Sequence, residues 1–172
     1  MVDGGFNIGE YTKAFLKKNP GFQVYGFEPL SFPTDITNIT LIRKAIWIKN
    51  ETKTFYLSER PDASSLCNES KHINPNNSIS VECINFGAWI LANFDKNDYV
   101  HLKLDIEGAE YEVLHNMIKD GSIKLVSELV CEWHHSKFAR TRTQRIQFGQ
   151  KKIAIATELN ALSHLRWLQD WR

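Results

Sequence analysis

The stretch Val2-Asp3-Gly4-Gly5-Phe6-Asn7-Ile8-Gly9 decides the fold. Met1-Val2 is an apolar stub, the residues after it make a glycine-rich turn, and a helix-like segment then runs to Asn19-Pro20-Gly21. The order is strand, turn, helix. Glycines in such a turn let the backbone take left-handed angles and approach a ligand closely, while the start of the helix offers free N–H groups to a carboxylate or phosphate. Asp3, Gly4, Gly5, Asn7 and Gly9 are therefore candidate contacts for a nucleotide-type ligand. The spacing is not G-x-G-x-x-G, which disfavours a hydride-transfer dinucleotide. A carboxylate at Asp3 suits a ligand that carries an ammonium group.

Moving outward, Gln23 to Phe27 is a short β-prone run that stops at Glu28-Pro29. In doubly wound folds an acidic residue at that point accepts hydrogen bonds from ribose hydroxyls. Asp3 and Glu28 together suggest a ligand with an amino-acid end and a ribose, and S-adenosylmethionine has both.

Leu41 to Ile48 is a further apolar run, and Lys49-Asn50-Glu51 looks like the turn of a β-hairpin into a strand from Thr52 to Ser58. Residues 59–78 hold Pro61, Pro75 and many Asn and Ser residues, a loop composition. Ile79 to Ile84 reads as a strand and Phe86 to Phe94 as an amphipathic helix. Tyr99 to Ile106 alternates into Glu107-Gly108, Ala109 to Ile118 is helix-like, and Leu125 to Trp133 is a buried-type strand. Strands alternating with helices in this way predict an α/β fold, a mostly parallel sheet with helices on both faces.

Composition excludes several classes. Apolar residues make up 42% and charged residues 24%, values of an ordinary globular domain rather than a disordered or collagen-like chain. With 21 Lys and Arg against 20 Asp and Glu the net charge is +1, too small for bulk nucleic-acid binding. No apolar run approaches the roughly 20 residues of a membrane helix, and the Met1-Val2-Asp3-Gly4-Gly5 start has neither the basic nor the apolar region expected of a signal peptide. Cys67, Cys83 and Cys131 are odd in number with no C-x-x-C spacing, so a reducing, cytoplasmic setting is the expectation. Sequons at Asn38, Asn50 and Asn68 carry no weight without a secretory signal. Charge is uneven, however. Residues 136–172 hold eight basic side chains, among them Lys137, Arg140, Arg142, Arg145, Lys151 and Lys152, against Glu158 and Asp170 alone. From about Thr143 to Leu168 this tail is helix-compatible, with Ile153, Ile155, Ala156, Leu159, Leu162 and Leu165 as its apolar face. No linker or repeat interrupts residues 1–172, which read as one domain with a basic, mainly helical tail.

Several stretches resemble the FkbM-type S-adenosylmethionine-dependent methyltransferases. They are Val2 to Thr12, Gly26-Phe27-Glu28-Pro29, and His101-Leu102-Lys103-Leu104-Asp105-Ile106-Glu107-Gly108-Ala109-Glu110-Tyr111-Glu112-Val113-Leu114. Glu132-Trp133-His134 is similar to the acidic-x-His ending of that family's fifth strand, and Lys44-Ala45-Ile46 and Ser64-Ser65-Leu66 are weaker echoes. The resemblance implies a Rossmann-like class I methyltransferase fold and methyl transfer to a hydroxyl oxygen of a small acceptor, a sugar or glycan-related compound. It further implies that Asp3, Gly5, Asn7, Gly9 and Thr12 hold the methionine end of S-adenosylmethionine, Glu28-Pro29 the ribose, and Ala45 the adenine. Asp105 and Glu107 would stand beside the sulfonium. The first strand is a stub, and the tail lacks the β-hairpin that usually finishes this fold.

Methyl transfer to an alcohol requires alignment of oxygen, carbon and sulfur and a base for the hydroxyl proton. Asp105 and His134 are the candidate bases, with Glu107 beside them. Glu110, one turn beyond Glu107, would either bind acceptor hydroxyls or sit on a solvated face. An Asp/Glu/His cluster is also a set that a divalent ion takes, although the sequence assigns no metal. The basic run from Lys137 to Lys152 would either form a solvated face on a terminal helix or meet a phosphorylated or otherwise anionic acceptor. Two rivals stand beside this reading. One is an RNA ribose 2′-O-methyltransferase, for which Lys103, Asp105, Lys124 and Glu132 supply the residue types. The other is a non-catalytic cofactor-binding domain of a larger assembly. Neither the oligomeric state nor the acceptor is written in the sequence.

Overall fold

The computed structural model describes residues 1–37, 39–60, 63–68, 73–134 and 141–169. Among them, six strands form one sheet in the order β3-β2-β1-β7-β8-β9, every neighbouring pair parallel. The strands are β1 (Val2–Gly4), β2 (Val24–Phe27), β3 (Ile39–Ile42), β7 (His101–Leu104), β8 (Glu128–Cys131) and β9 (Arg166–Gln169). The chain moves one way from β1 through β2 to β3 and then crosses to the other side of β1 to lay down β7, β8 and β9. Strand order thus reverses between β1 and β7, the place where open α/β sheets bind ligands beyond their carboxyl ends. This is the doubly wound, Rossmann-like arrangement that the strand–helix alternation predicts.

Helices α1 (Glu10–Lys18), α2 (Phe86–Asn93), α3 (Glu110–Asp120) and α4 (Arg142–Asn160) flank the sheet. The alternation along β7 assigns their faces. His101 packs against Tyr11 and Phe15 of α1, and Lys103 lies over the Tyr11 ring. Leu102 and Leu104 point the other way, into a core shared with Phe86 of α2, Leu114 and Met117 of α3 and Leu159 of α4. One face therefore carries α1 and the other carries the remaining three helices. Glycine starts and ends these helices where a left-handed residue is needed, as at Gly121 after α3, while α4 opens with a Thr141/Gln144 capping box.

The structure corrects the reading of the sequence in four places. Leu41 to Ile48 is not one element. It breaks at Arg43-Lys44 into β3 and β4 (Ala45–Trp47), which belong to different sheets. The expected hairpin across Lys49-Asn50-Glu51 does not form, because β6 (Ile73–Asn85) inserts between β4 and β5 (Glu51–Ser58), pairing parallel with the first and antiparallel with the second. Residues 73–78, expected in a loop, are the first half of β6. Their side chains from Asn74 onward are exposed, so the hydrophobic alternation that marks a strand is missing there. The tail ends in a strand, since Arg166–Gln169 pairs with β8 and extends the parallel sheet. Lys137, Arg140, Asp170 and Arg172 of the basic tail, and the Asn38 sequon, lie outside the described residues. No helix among the described residues is long and apolar enough to cross a membrane, and Cys67, Cys83 and Cys131 form no disulfide.

Candidate active site

Strand register sets the site. Gly4 is paired with Phe27 on one side and Leu104 on the other, and Leu104 is paired with Cys131. The residues that follow, Gly5, Glu28, Asp105 and Glu132, consequently stand in a row across the carboxyl edge of the sheet. Backbone bonds from Gly5 and Phe6 N–H to Phe27 O, from Asp105 N–H to Gly4 O and from Glu132 N–H to Leu104 O tie that row together. A pocket of about 250 Å³ opens above it.

The glycine-rich turn forms one wall. Gly5 has φ +79°, and a Cβ there would overlap the carbonyl oxygen of Asp105, so both the angle and the space demand glycine. Asn7 also takes a left-handed angle, φ 51°, which aims its N–H at Glu28 Oε2, 3.0 Å away. Leu30 N–H donates to the other oxygen, Glu28 Oε1, at 3.0 Å. Glu28 is buried, and burial pushes its carboxyl above the usual range, opposed by those two N–H groups and by Lys103 and Arg43. Gly5, Asn7, Glu28 and Pro29 all line the pocket. Beside them an apolar slot is made by Leu30, Ala45, Ile46, Phe55 and Leu66.

Asp3, Gly4, Gly9 and Thr12 do not line it. Asp3 is fully buried, accepts a 2.7 Å bond from Thr12 Oγ1 and lies 3.1 Å from Lys103 Nζ. Gly9 caps α1 with φ 81°. These four support the wall from behind. Lys103, whose individual role the sequence does not single out, is their hub. Its ammonium donates to Gly5 O at 2.8 Å and stands 3.7 Å from Asp105 Oδ2. Burial alone would pull its pKa down, but Asp3 and Asp105 hold it above the ordinary lysine value.

The opposite wall is the turn after β7. Glu107 has φ 53° and Gly108 φ 102°, a consecutive left-handed pair between strand and helix. Asp105 and Glu107 line the pocket. His134, 2% exposed, lies behind them, with Nε2 3.4 Å from Asp105 Oδ1 and 3.2 Å from Glu107 Oε1. Its Nδ1 meets Glu110 Oε1 at 2.8 Å. Burial pushes the imidazole down, yet Glu107 and Glu110 outweigh it and raise the pKa to about 10. Glu110 neither faces an acceptor nor sits in solvent. It is fully buried and also accepts the N–H groups of Ile106 and Gly108, at 2.8 and 2.9 Å. A loop closes over this wall through Ser65, whose hydroxyl donates to Glu107 O at 2.5 Å and whose backbone bridges Tyr56.

The structure thus gathers Asp105, Glu107, His134 and Glu132, and places Lys103 beside them. Lys124 is elsewhere, exposed on the turn Ser122–Leu125 that feeds β8 from the other end of the sheet, so the four residue types of ribose 2′-hydroxyl chemistry are not assembled. Nothing in composition reveals Lys103 or Glu110 as buried, because a charged residue in a sequence reads as surface until its partners are known.

A family model described as Methyltransferase FkbM domain matches residues 3–166. No curated protein and no solved structure matches the chain.

Proposed function

Because the chain belongs to the FkbM methyltransferase family, we propose that it is an S-adenosylmethionine-dependent O-methyltransferase acting on a hydroxyl of a small, glycan-related acceptor. The observation that carries this reading is the convergence of Glu28, Asp105 and Glu107 on one pocket at the point where strand order reverses. The pocket residues fit the cofactor. Glu28 is a fixed, buried carboxylate suited to a ribose diol, since Asn7 and Leu30 hold its orientation and its remaining lone pairs are open to donors. The slot between Leu30, Ala45, Ile46, Phe55 and Leu66 suits an adenine ring.

When bound, the cofactor supplies an electrophilic methyl group on a positively charged sulfur. The chain's own residues align the acceptor and take its proton as the new O–C bond forms and the C–S bond breaks. Asp105 and Glu107 are the groups at the pocket surface that can receive that proton, and His134 stands behind both with Nδ1 already engaged. Lys103 fixes Asp105 from the other side. Asp105 is accordingly assigned as the proton acceptor, Glu107 as its neighbour at the acceptor, and His134 as the group that orients the two carboxylates.

Calorimetric titration with S-adenosylhomocysteine tests the cofactor assignment. Wild-type chain is expected to bind, and Glu28→Ala to bind at least about tenfold more weakly, the loss of a charged hydrogen-bond acceptor. Asp105→Asn is expected to lower turnover by about 10²-fold or more with little change in cofactor affinity. Unchanged affinity in Glu28→Ala would remove the ribose assignment.

A further inference from the structure

One buried nitrogen in the candidate site has no hydrogen bond. His134 is 2% exposed, and its Nδ1 is held by Glu110 Oε1, which the N–H of Ile106 locks in turn. The ring is therefore fixed with Nε2 directed at Asp105 Oδ1 and Glu107 Oε1, at 3.4 and 3.2 Å, yet Nε2 makes no hydrogen bond to either. Glu132 Oε1 stands 3.6 Å from the same nitrogen. One donor atom from each of Asp105, Glu107 and His134 lies within 4.8 Å of the other two. Ligand atoms about 2.1 Å from a cation and at right angles are about 3.0 Å apart, close to the 3.4 and 3.2 Å that separate Nε2 from the Asp105 and Glu107 oxygens. A histidine whose second ring nitrogen is anchored by a carboxylate is also the arrangement by which proteins orient metal-ligating imidazoles.

We propose that Asp105, Glu107 and His134 form a binding site for one divalent cation. Two carboxylates and one imidazole suit a hard-to-borderline ion such as Mn²⁺, which takes the place of the proton that Asp105 and Glu107 otherwise hold on Nε2 and releases it to solvent. Its positive charge would serve a cluster in which Glu110 and Glu132 add two further carboxylates, with Lys103 on the far, Oδ2 side of Asp105. Asp105 and Glu107 line the pocket while His134 is behind them, so the open coordination positions face the pocket. In this respect the inference rests on the methyl-transfer reading: adjacent oxygens of the acceptor, such as a vicinal diol, complete the coordination, and a hydroxyl bound there becomes more acidic.

The test is Mn²⁺ alone, titrated into the purified chain and followed by the electron paramagnetic resonance signal of the free ion, without cofactor or acceptor. One ion per chain is expected. Asp105→Asn and Glu107→Gln are each expected to weaken it at least about tenfold, while Glu112→Gln, on the exposed side of α3, leaves it unchanged. Far-ultraviolet circular dichroism reports whether each variant folds, and Asp105→Asn, with its side chain partly exposed, carries the test if Glu107→Gln does not fold. S-adenosylhomocysteine is titrated separately. A wild-type chain that binds S-adenosylhomocysteine but not Mn²⁺ overturns the cation site and keeps the cofactor reading. The reverse result supports the cation site and overturns the cofactor reading, and binding of neither overturns both. Mn²⁺ binding that survives the substitution of a folded Asp105→Asn variant overturns the ligand assignment.

Discussion

Glu110 shows how much of a site rests on a residue that never touches the pocket. Its carboxylate is fully buried and accepts from Ile106 N–H, Gly108 N–H and His134 Nδ1, so it fixes both the turn that carries Glu107 and the imidazole behind it. Glu110→Gln replaces one acceptor oxygen with an NH₂ group facing a donor. The expected cost is about 3 kcal/mol in urea denaturation, the penalty of an unsatisfied buried donor next to a broken charged bond. A loss below about 0.5 kcal/mol would show that the three bonds are not made in solution. At this scale the sequence is legible where a residue type and its position past a strand coincide, as for Glu28, Asp105 and Glu107. It is opaque for Glu110 and Lys103. Lys103 depends on Gly5, joined to it across the sheet by a 2.8 Å bond, and Glu110 on His134, which β8 brings back beside it.

Among the elements, α4 separates pattern from packing. Ile153, Ile155, Leu159 and Leu162 share apolar character, but Ile153 is 68% exposed while Ile155 and Leu159 are buried in the main core against α3. Residues four apart share a helix face, so Ile155 and Leu159 point together and Ile153 does not. Leu159→Ala is expected to cost about 2–5 kcal/mol, the loss of a buried side chain with a residual cavity. Ile153→Ala should change stability by less than about 0.5 kcal/mol. Equal effects in chemical denaturation would mean that α4 packs through another face. The strands show the converse difficulty. β6 is half polar and exposed, so its pairing with β5 comes from backbone bonds that no side-chain period announces. The short β9 carries a strand-compatible Trp167-Leu168, but it follows nineteen helical residues and a five-residue connection, and its place beside β8 depends on tertiary pairing.

Across the whole molecule, the sheet has a second charged assembly at its amino end, away from the pocket row. Tyr11 OH donates to His101 Nε2 at 2.7 Å, His101 Nδ1 donates to Glu128 Oε2 at 2.9 Å, and Arg166 closes on Glu128 Oε1. Burial holds His101 below its ordinary pKa, despite Glu128 pulling the other way. Glu128 is held below the usual carboxylate range because His101 and Arg166 outweigh its own burial. Both shifts have the same consequence. Below about pH 6.5 the unfolded chain takes up a proton at His101 that the fold resists, and at lower pH it takes up another at Glu128. Stability contributed by the pair is therefore present at neutral pH and lost on acidification. Its slope approaches about 1.4 kcal/mol per pH unit for each proton. Urea midpoints measured between pH 7 and 4 should fall in wild type and fall less steeply in His101→Phe; a flat wild-type profile would remove the assignment of a neutral His101. The doubly wound topology itself was legible because strand, glycine turn and helix follow one another in the first residues. The amino-end assembly was not, because it joins α1, β7, β8 and β9.

The position of β1 has a consequence for how the chain is made. Val2 pairs with Tyr25 on one side and with Leu102 on the other, so the middle of the sheet joins two segments that leave the ribosome one hundred residues apart. Through the intervening stretch β1 has β2 on one flank and a bare row of N–H and C=O groups on the other. The nascent protein therefore passes through a long interval as a half-sheet with an adhesive edge, and β7 is the segment whose arrival ends it.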